Sequence, residues 1–284
     1  MVRESLTEGQ VADLRQTKGV DISQPARAAF VVLYLNNDQA LFQDPRLRRA
    51  VSLALDRKAI VDSVFLGAAT VSQSPVPPGT WAYAQEYDNP ARNTDAARRL
   101  LAEAGWAPHP TTGILVREGA EFRLTIRTDN DAGRIRIAGE IAKQLESVGI
   151  RATVASTTFS VLRRDFLEQR RYDAAVASWE QGADPDPYFA WHSSQTGNAG
   201  LNIANFTDTV TDELIARGRT RTDIEIRKDA YRQFQEKWAE LEPSVIIAYP
   251  RYVYVRSTSV SGFVPPVLVA PSQRFFDLAN WKSG

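Results

Sequence analysis

The 284-residue chain contains no cysteine, one methionine and two histidines. Without thiols it has no disulfide framework, no thiolate metal site and no cysteine nucleophile. His109 and His192 lie far apart in sequence, so metal-ligand spacing is missing and no metal or cofactor is implied. A membrane-spanning helix needs about 20 consecutive apolar residues, and none occurs. The opening segment MVRESLTEGQVADLRQTKGV also lacks the apolar core of a signal peptide. An excess of charge of one sign is missing too: 34 basic residues balance 34 acidic ones. Neither half carries a long charged run, which removes the electrostatic footprint of a nucleic-acid binder. With 43% hydrophobic residues the chain has enough apolar content for one large domain or two lobes with their own cores.

What is there alternates between strand and helix signals. Thr7 and Gln10 read as a capping box for a short helix carrying Val11 and Leu14 and ending near Lys18 and Gly19. AAFVVLYL, residues 28–35, is apolar throughout and reads as a strand covered on both faces. Asp44 and Pro45 form an N-cap and N1 pair for a helix with Leu47, Val51 and Leu55 on one face. A second helix over 57–66 ends at Gly67. The proline-rich SQSPVPPGTWAY, 72–83, reads as a stiff loop. Thr94 caps a helix over 95–104, and Glu118 and Gly119 turn a hairpin between 113–116 and 122–127. Helix 131–147 with Ile137, Ile141 and Leu145 in register leads to strand 150–155, helix 159–170 and strand 174–178. Two more helices, 209–219 and 222–241, are stopped by Pro243, with Ile226, Ala230, Phe234 and Trp238 as the inward stripe. The tail turns to strands at 245–249 and 252–256. Short connections between alternating elements define the class as α/β, with a mixed or parallel sheet covered by helices.

The most informative stretch is RYDAAVASWEQGADPDPYFAWHSS, 171–194. Its strand, 174–178, feeds a loop crowded with Trp179, Glu180, Gln181, Asp184, Asp186, Tyr188 and Trp191. In open α/β sheets ligands bind in the crevice beyond the carboxyl ends of strands, so the loop predicts a pocket wall. Trp179 is either a lid on the core or a stacking face for a ligand. Asp186, before a proline, reads as a cap for the helix near Pro187, while Asp184 is open between cap and ligand contact. Arg127, at a strand end before a helix N-terminus, is either a carboxylate clamp or a solvent-facing charge beside Asp129. Trp81 and Tyr83 either roof the cleft or pin their own loop. His192 reads as structural.

The phrases FQDPRLRRAVSLALDRKAIVDSVFLGAAT, SPVPPGTWAY, NTDAARRLLAEAGW, EIAKQLESVGI, RRYDAAVASW, ADPDPYFAWHSS and ELEPSVIIAYPRYVYV occur in this order between Phe42 and Val255. Together they resemble the family 5 extracellular solute-binding proteins, the peptide, nickel and related binding components of ABC importers. The resemblance implies the type II periplasmic-binding-protein fold, with two lobes that close on a ligand by a hinge. It assigns 1–41 to a remnant of the first lobe with a crossing strand, 42–243 to the second lobe, and 244–284 to return strands. Members are longer than this chain, so the resemblance implies a C-terminal portion without the family's leader or most of its first lobe. It also implies a monomer outside the cytoplasm, periplasmic or lipoprotein-anchored, that hands a peptide or peptide-like solute to the transmembrane subunits of an ABC permease.

On this resemblance the ligand-binding residues are Trp179, Gln181, Asp184, Tyr188, Arg127, Trp81 and Asn205, the last because Asn205 and Phe206 match an asparagine-aromatic pair in relatives. Peptide-binding relatives place an ammonium-binding aspartate three residues after the tryptophan; here that position is Gly182, and Asp184 is the nearest carboxylate. Aromatic faces with amides and carboxylates also suit an oligosaccharide. A reading of another class makes Asp184 and Asp186 the acid and base of a hydrolase, though neither G-x-S-x-G nor H-E-x-x-H is present.

Overall fold

The computed structural model describes residues 8–89, 91–197, 200–264 and 268–284. Its centre is the strand Ala29–Leu35 (β1), in which all seven residues are buried. Side chains alternate across a strand, so Val31, Leu33 and Leu35 enter one apolar core while Phe30, Val32 and Tyr34 enter another. The remaining strands are Ala69–Val71 (β2), Arg123–Asp129 (β3), Arg151–Thr157 (β4), Ala174–Glu180 (β5) and Ser244–Pro250 (β6). They form one six-stranded sheet in the order β2-β6-β1-β5-β3-β4. β1 runs antiparallel to β5 and β6, whereas β5, β3 and β4 are parallel. The sheet is therefore mixed, with strands from both ends of the sequence at its middle.

One face is covered by helices Pro45–Ala54 (α1), Arg57–Phe65 (α2), Thr94–Glu103 (α3) and Ala132–Glu146 (α4). The other carries Thr209–Thr220 (α5), Ile224–Leu241 (α6), the proline-rich loop and the short helix Tyr188–Trp191. Trp191 is the pin of this second core. Fully buried, it stacks 6.4 Å from Phe30, lies 6.2 Å from Tyr34 and meets Trp238 edge-on at 4.2 Å.

Local chemistry sets the element ends. Asp44 accepts the Arg46 N–H with Pro45 at N1, and Asp131 and Asp223 cap α4 and α6 in the same way. Asn93, not Thr94, caps α3: its side chain accepts the Ala96 N–H, and Thr94 becomes the first helical residue. Helix α2 ends one residue earlier than expected, with Leu66 and Gly67 both left-handed. The turn at Glu118 and Gly119 has both φ angles positive, as a two-residue hairpin requires. Its second arm, however, is only Ala120–Glu121, pairing with Leu115–Arg117 in a small separate sheet, while β3 continues into the main one. The stretch expected as helix 159–170 makes one α-turn, Phe159–Val161, and then widens over Leu162–Leu167, where the Glu168 N–H reaches the Arg163 carbonyl. In α6, Ala230, Phe234 and Trp238 are buried as expected, Tyr231 and Gln235 widen the inward stripe, and Ile226 is exposed.

Helix Glu8–Gln16 is present, while its expected capping residue Thr7 lies outside the described residues. Val20–Ser23 pairs antiparallel with Tyr254–Ser257, so the early and late parts of the chain meet in a second small sheet. Among the described residues no helix is long and apolar enough to cross a membrane.

Candidate functional site

Strand β5 runs two residues further than its apolar core predicts, so Trp179 and Glu180 belong to the strand and the acidic loop begins at Gln181. Trp179 pairs with Phe30 and Glu180 with Ala29, at the end of the sheet where β1 begins. Beyond that end lies a cleft of about 180 Å³. Gly182, Ala183 and Pro185 of the acidic loop form one wall, and Pro77 and Thr80 of the proline-rich loop form another. Ala28 supplies the floor; Val269, Gln273 and Phe276 close it from the C-terminal segment. None of these lining residues is charged.

The proline-rich loop is held from behind. Gln235, buried on α6, accepts the Ser74 hydroxyl and the Ala84 N–H through Oε1, and its amide donates to the Ala82 carbonyl. Trp238 Nε1 donates to Gln73 O, and the Tyr249 hydroxyl donates to Ser74 O. A segment whose backbone lacks regular pairing is thus satisfied by side chains from the second core. Its tip brings Trp81 to 5.8 Å from Tyr231, with the Arg227 guanidinium 4.8 Å from the Trp81 ring.

The acidic loop is anchored by its carboxylates. Asp184 accepts two hydrogen bonds from Arg227, at 2.7 and 2.8 Å. Asp186 accepts the Tyr188 N–H at 3.0 Å, the cap expected of it, and pairs with Arg219 at 2.8 Å. Burial alone lowers the Arg227 pKa, and the hydrogen bonds to Asp184 and Tyr231 turn the net shift upward. The two carboxylates considered as an acid and base are therefore each engaged by an arginine. Among the described residues, no group of three or more His, Asp and Glu side chains is placed to hold a metal ion.

The expected site residues separate into two sets. Trp179, half-buried on the face of the second core, together with Gln181, Asp184 and Trp81, belongs to the strand end and loops that make the cleft. Gln181 is buried rather than presented: its N–H donates to Ala28 O at 2.7 Å and its amide to Pro75 O at 3.2 Å, which joins the bases of both walls. Tyr188 sits just behind the acidic loop, its ring under Arg219 and its hydroxyl 2.9 Å from the Ser194 hydroxyl. Arg127 is not brought to the cleft. It pairs with Ala175, about 13 Å along the strand from Trp179 at the usual rise per residue, and its guanidinium lies 3.7 Å from the Phe166 ring. The arginine at the end of β3 is instead Arg134, in a two-pronged pair with the buried Asp129. Asn205 lies at the opposite end of β1. There it bonds to Asp38, and the neighbouring Ala204 carbonyl accepts the Asn37 N–H. His192 accepts the Ser194 N–H and packs 4.5 Å from Tyr188, a structural role.

Several residues of the site carry no sequence signal. Gln273 and Phe276 reach the cleft from far along the chain. Arg27 pairs with Glu180 at the strand end and lies 5.5 Å from the Tyr252 ring. Arg227 falls in the first turn of α6, where helical patterning marks it only as one polar residue among many.

A helix-covered mixed sheet, with a loop-walled cleft beyond the end of its middle strands, is the architecture of a type II periplasmic-binding-protein lobe. The sequence pattern of the bacterial extracellular solute-binding proteins, family 5 Middle, matches residues 1–200. The chain belongs to that family. It is 29% identical over 262 residues to the oligopeptide-binding protein AppA of Bacillus subtilis, covering 89% of this chain and 46% of that protein. It is 26% identical over 260 residues to heme-binding protein A of Haemophilus influenzae, again covering 89% and 46%. The structure of Bacillus subtilis AppA in complex with a nonapeptide superposes with a TM-score of 0.79 at 26% identity, covering 97% of this chain and 55% of that one. The chain thus spans about half the length of these relatives.

Proposed function

We propose that this chain is part of the substrate-binding component of an ABC importer, taking a peptide or peptide-like solute between two lobes and delivering it to the permease. In this reading residues 42–243 form the second lobe, and 1–41 and 244–284 belong with the first. The protein acts outside the cytoplasm, as a monomer, without cofactor or chemistry. The observation that carries the reading is the uncharged cleft at the strand end, lined by Pro77, Thr80, Gly182 and Phe276, in a member of a solute-binding family. A concave, mostly apolar lining with a few polar groups, here Thr80 and Gln273, is what a small-solute site needs. The oligopeptide-binding relative and its nonapeptide complex support a peptide ligand over a saccharide.

Thermal-shift measurements test the ligand class. A ligand at one hundred times its Kd stabilises the folded state by about 2.7 kcal/mol. Peptides from dipeptides to nonapeptides are expected to raise Tm; oligosaccharides and hemin are not. A shift with oligosaccharide or hemin alone would contradict the peptide assignment, and no shift with any of the three would contradict ligand binding by this chain.

A further inference from the structure

We propose that Arg227 is a positioning residue that couples the two loops walling the cleft and so fixes the width between them. The inference rests on the reading of this cleft as the ligand site. Asp184 belongs to one wall-forming loop and Trp81 to the other. The Arg227 guanidinium engages both at once: Nη2 donates to the two Asp184 carboxylate oxygens, and Cζ lies over the Trp81 ring, 4.8 Å from its centroid. Nε donates to Gly218 O at 2.8 Å, which ties the group to the end of α5. Its side chain is only 17% exposed, while the Asp184 carboxylate it holds is 51% exposed and faces water.

Helix preference does not explain an arginine here. Residue 227 lies in the first turn of α6, where the helix dipole disfavours a cation. Its partners, all from other elements or the next turn, are what hold it. Lysine supplies the charge but has one nitrogen, whereas Arg227 holds Asp184 through Nη2 and Gly218 O through Nε with its guanidinium beside an indole. The neighbouring pair does a different job: Arg219 holds Asp186 of the acidic loop and lies over Tyr188 and Phe189 just after it. At the base, Gln181 joins the loops through Pro75. Arg227 joins their outer parts.

Coupling through one group is reciprocal, and native-state hydrogen exchange on the full chain reads it without any ligand. Trp81→Leu is expected to speed exchange at Gly182–Asp184, and Asp184→Asn at Thr80–Ala84, each by about five-fold or more, with Ile137–Leu145 of α4 unchanged. Arg227→Met speeds both loops and removes the cross-effect of the other two substitutions; Arg227→Lys restores protection only in part. If each single substitution loosens its own loop alone, the coupling is wrong. Should Arg227→Met also speed exchange in α4, Trp81→Leu and Asp184→Asn still decide. Uncoupled loops with peptide binding intact overturn this inference alone, while coupled loops with no peptide bound overturn the functional reading alone.

Discussion

Gly182 has room that its backbone does not require. Its φ is not in the left-handed region, and a Cβ built there meets only Asp184 O at 3.9 Å. Neither strain nor crowding therefore demands glycine, and its consequence is an uncharged cleft wall. Gly182→Asp is expected to fold normally and to favour peptides with a free α-ammonium over their N-acetylated forms by about ten-fold, as a charge-assisted hydrogen bond allows; calorimetric titration of matched pairs measures it. Trp179→Ala is expected to weaken peptide binding by about 2 kcal/mol, the loss typical of an aromatic anchor. An unchanged calorimetric Kd would remove Trp179 from the site. At this scale the sequence was partly legible. Trp179 near the end of β5 and Gln181 and Asp184 just after it lie within a few residues, so reading along the chain groups them at one strand end. Arg227, Gln273 and Phe276 reach the same place through tertiary packing, which leaves no local signature. Arg127 was misplaced because periodicity could not tell which arginine follows the strand end.

Among elements, those with strong apolar patterning were legible from sequence: β1, α1, α4 and β5 stand within about two residues of expectation. The differences occur where two local solutions compete. Asn93 outbids Thr94 as the cap of α3, in line with the stronger preference for asparagine. The 120–129 segment divides between a hairpin arm and a sheet strand, which strand propensity alone cannot separate. Trp191→Ala, at the meeting point of Phe30, Tyr34 and Trp238, is expected to cost about 3–5 kcal/mol through loss of packing, read as a fall in the urea midpoint. The end of α6 carries a pH dependence. Glu242, left-handed and buried near Arg48 and Arg57, has its pKa pushed up by burial, against the lowering pull of Ser52 and these arginines. A raised folded-state pKa means that its stability contribution is full below the ordinary value of 4.5 and is lost as pH rises through the folded value. Glu242→Gln is therefore expected to flatten the decline in stability that sets in as pH rises above 4.5, measured by Tm across a pH series. A decline of unchanged slope would contradict the assignment.

For the whole molecule, the α/β class and family were legible from sequence because the matching phrases span the lobe and fix its order. The choice between a mixed and a parallel sheet was left open, since β1 and β6 join it from the two ends of the sequence and periodicity carries no pairing information. In the C-terminal segment Val264, Phe275, Phe276 and Leu278 are exposed, and Phe276 lines the cleft. Phe276→Ala is expected to leave Tm unchanged, because an exposed ring contributes little to folding, while lowering peptide affinity. The central claim is that a peptide binds at the strand-end cleft, and cross-linking tests it most directly. A bound peptide carrying a benzophenone group, irradiated on the full chain and mapped by mass spectrometry, is predicted to label Pro77–Ala84 and Glu180–Pro185. Labelling confined to Asp38 and Asn205 at the far end of the sheet, or to neither place, would contradict it.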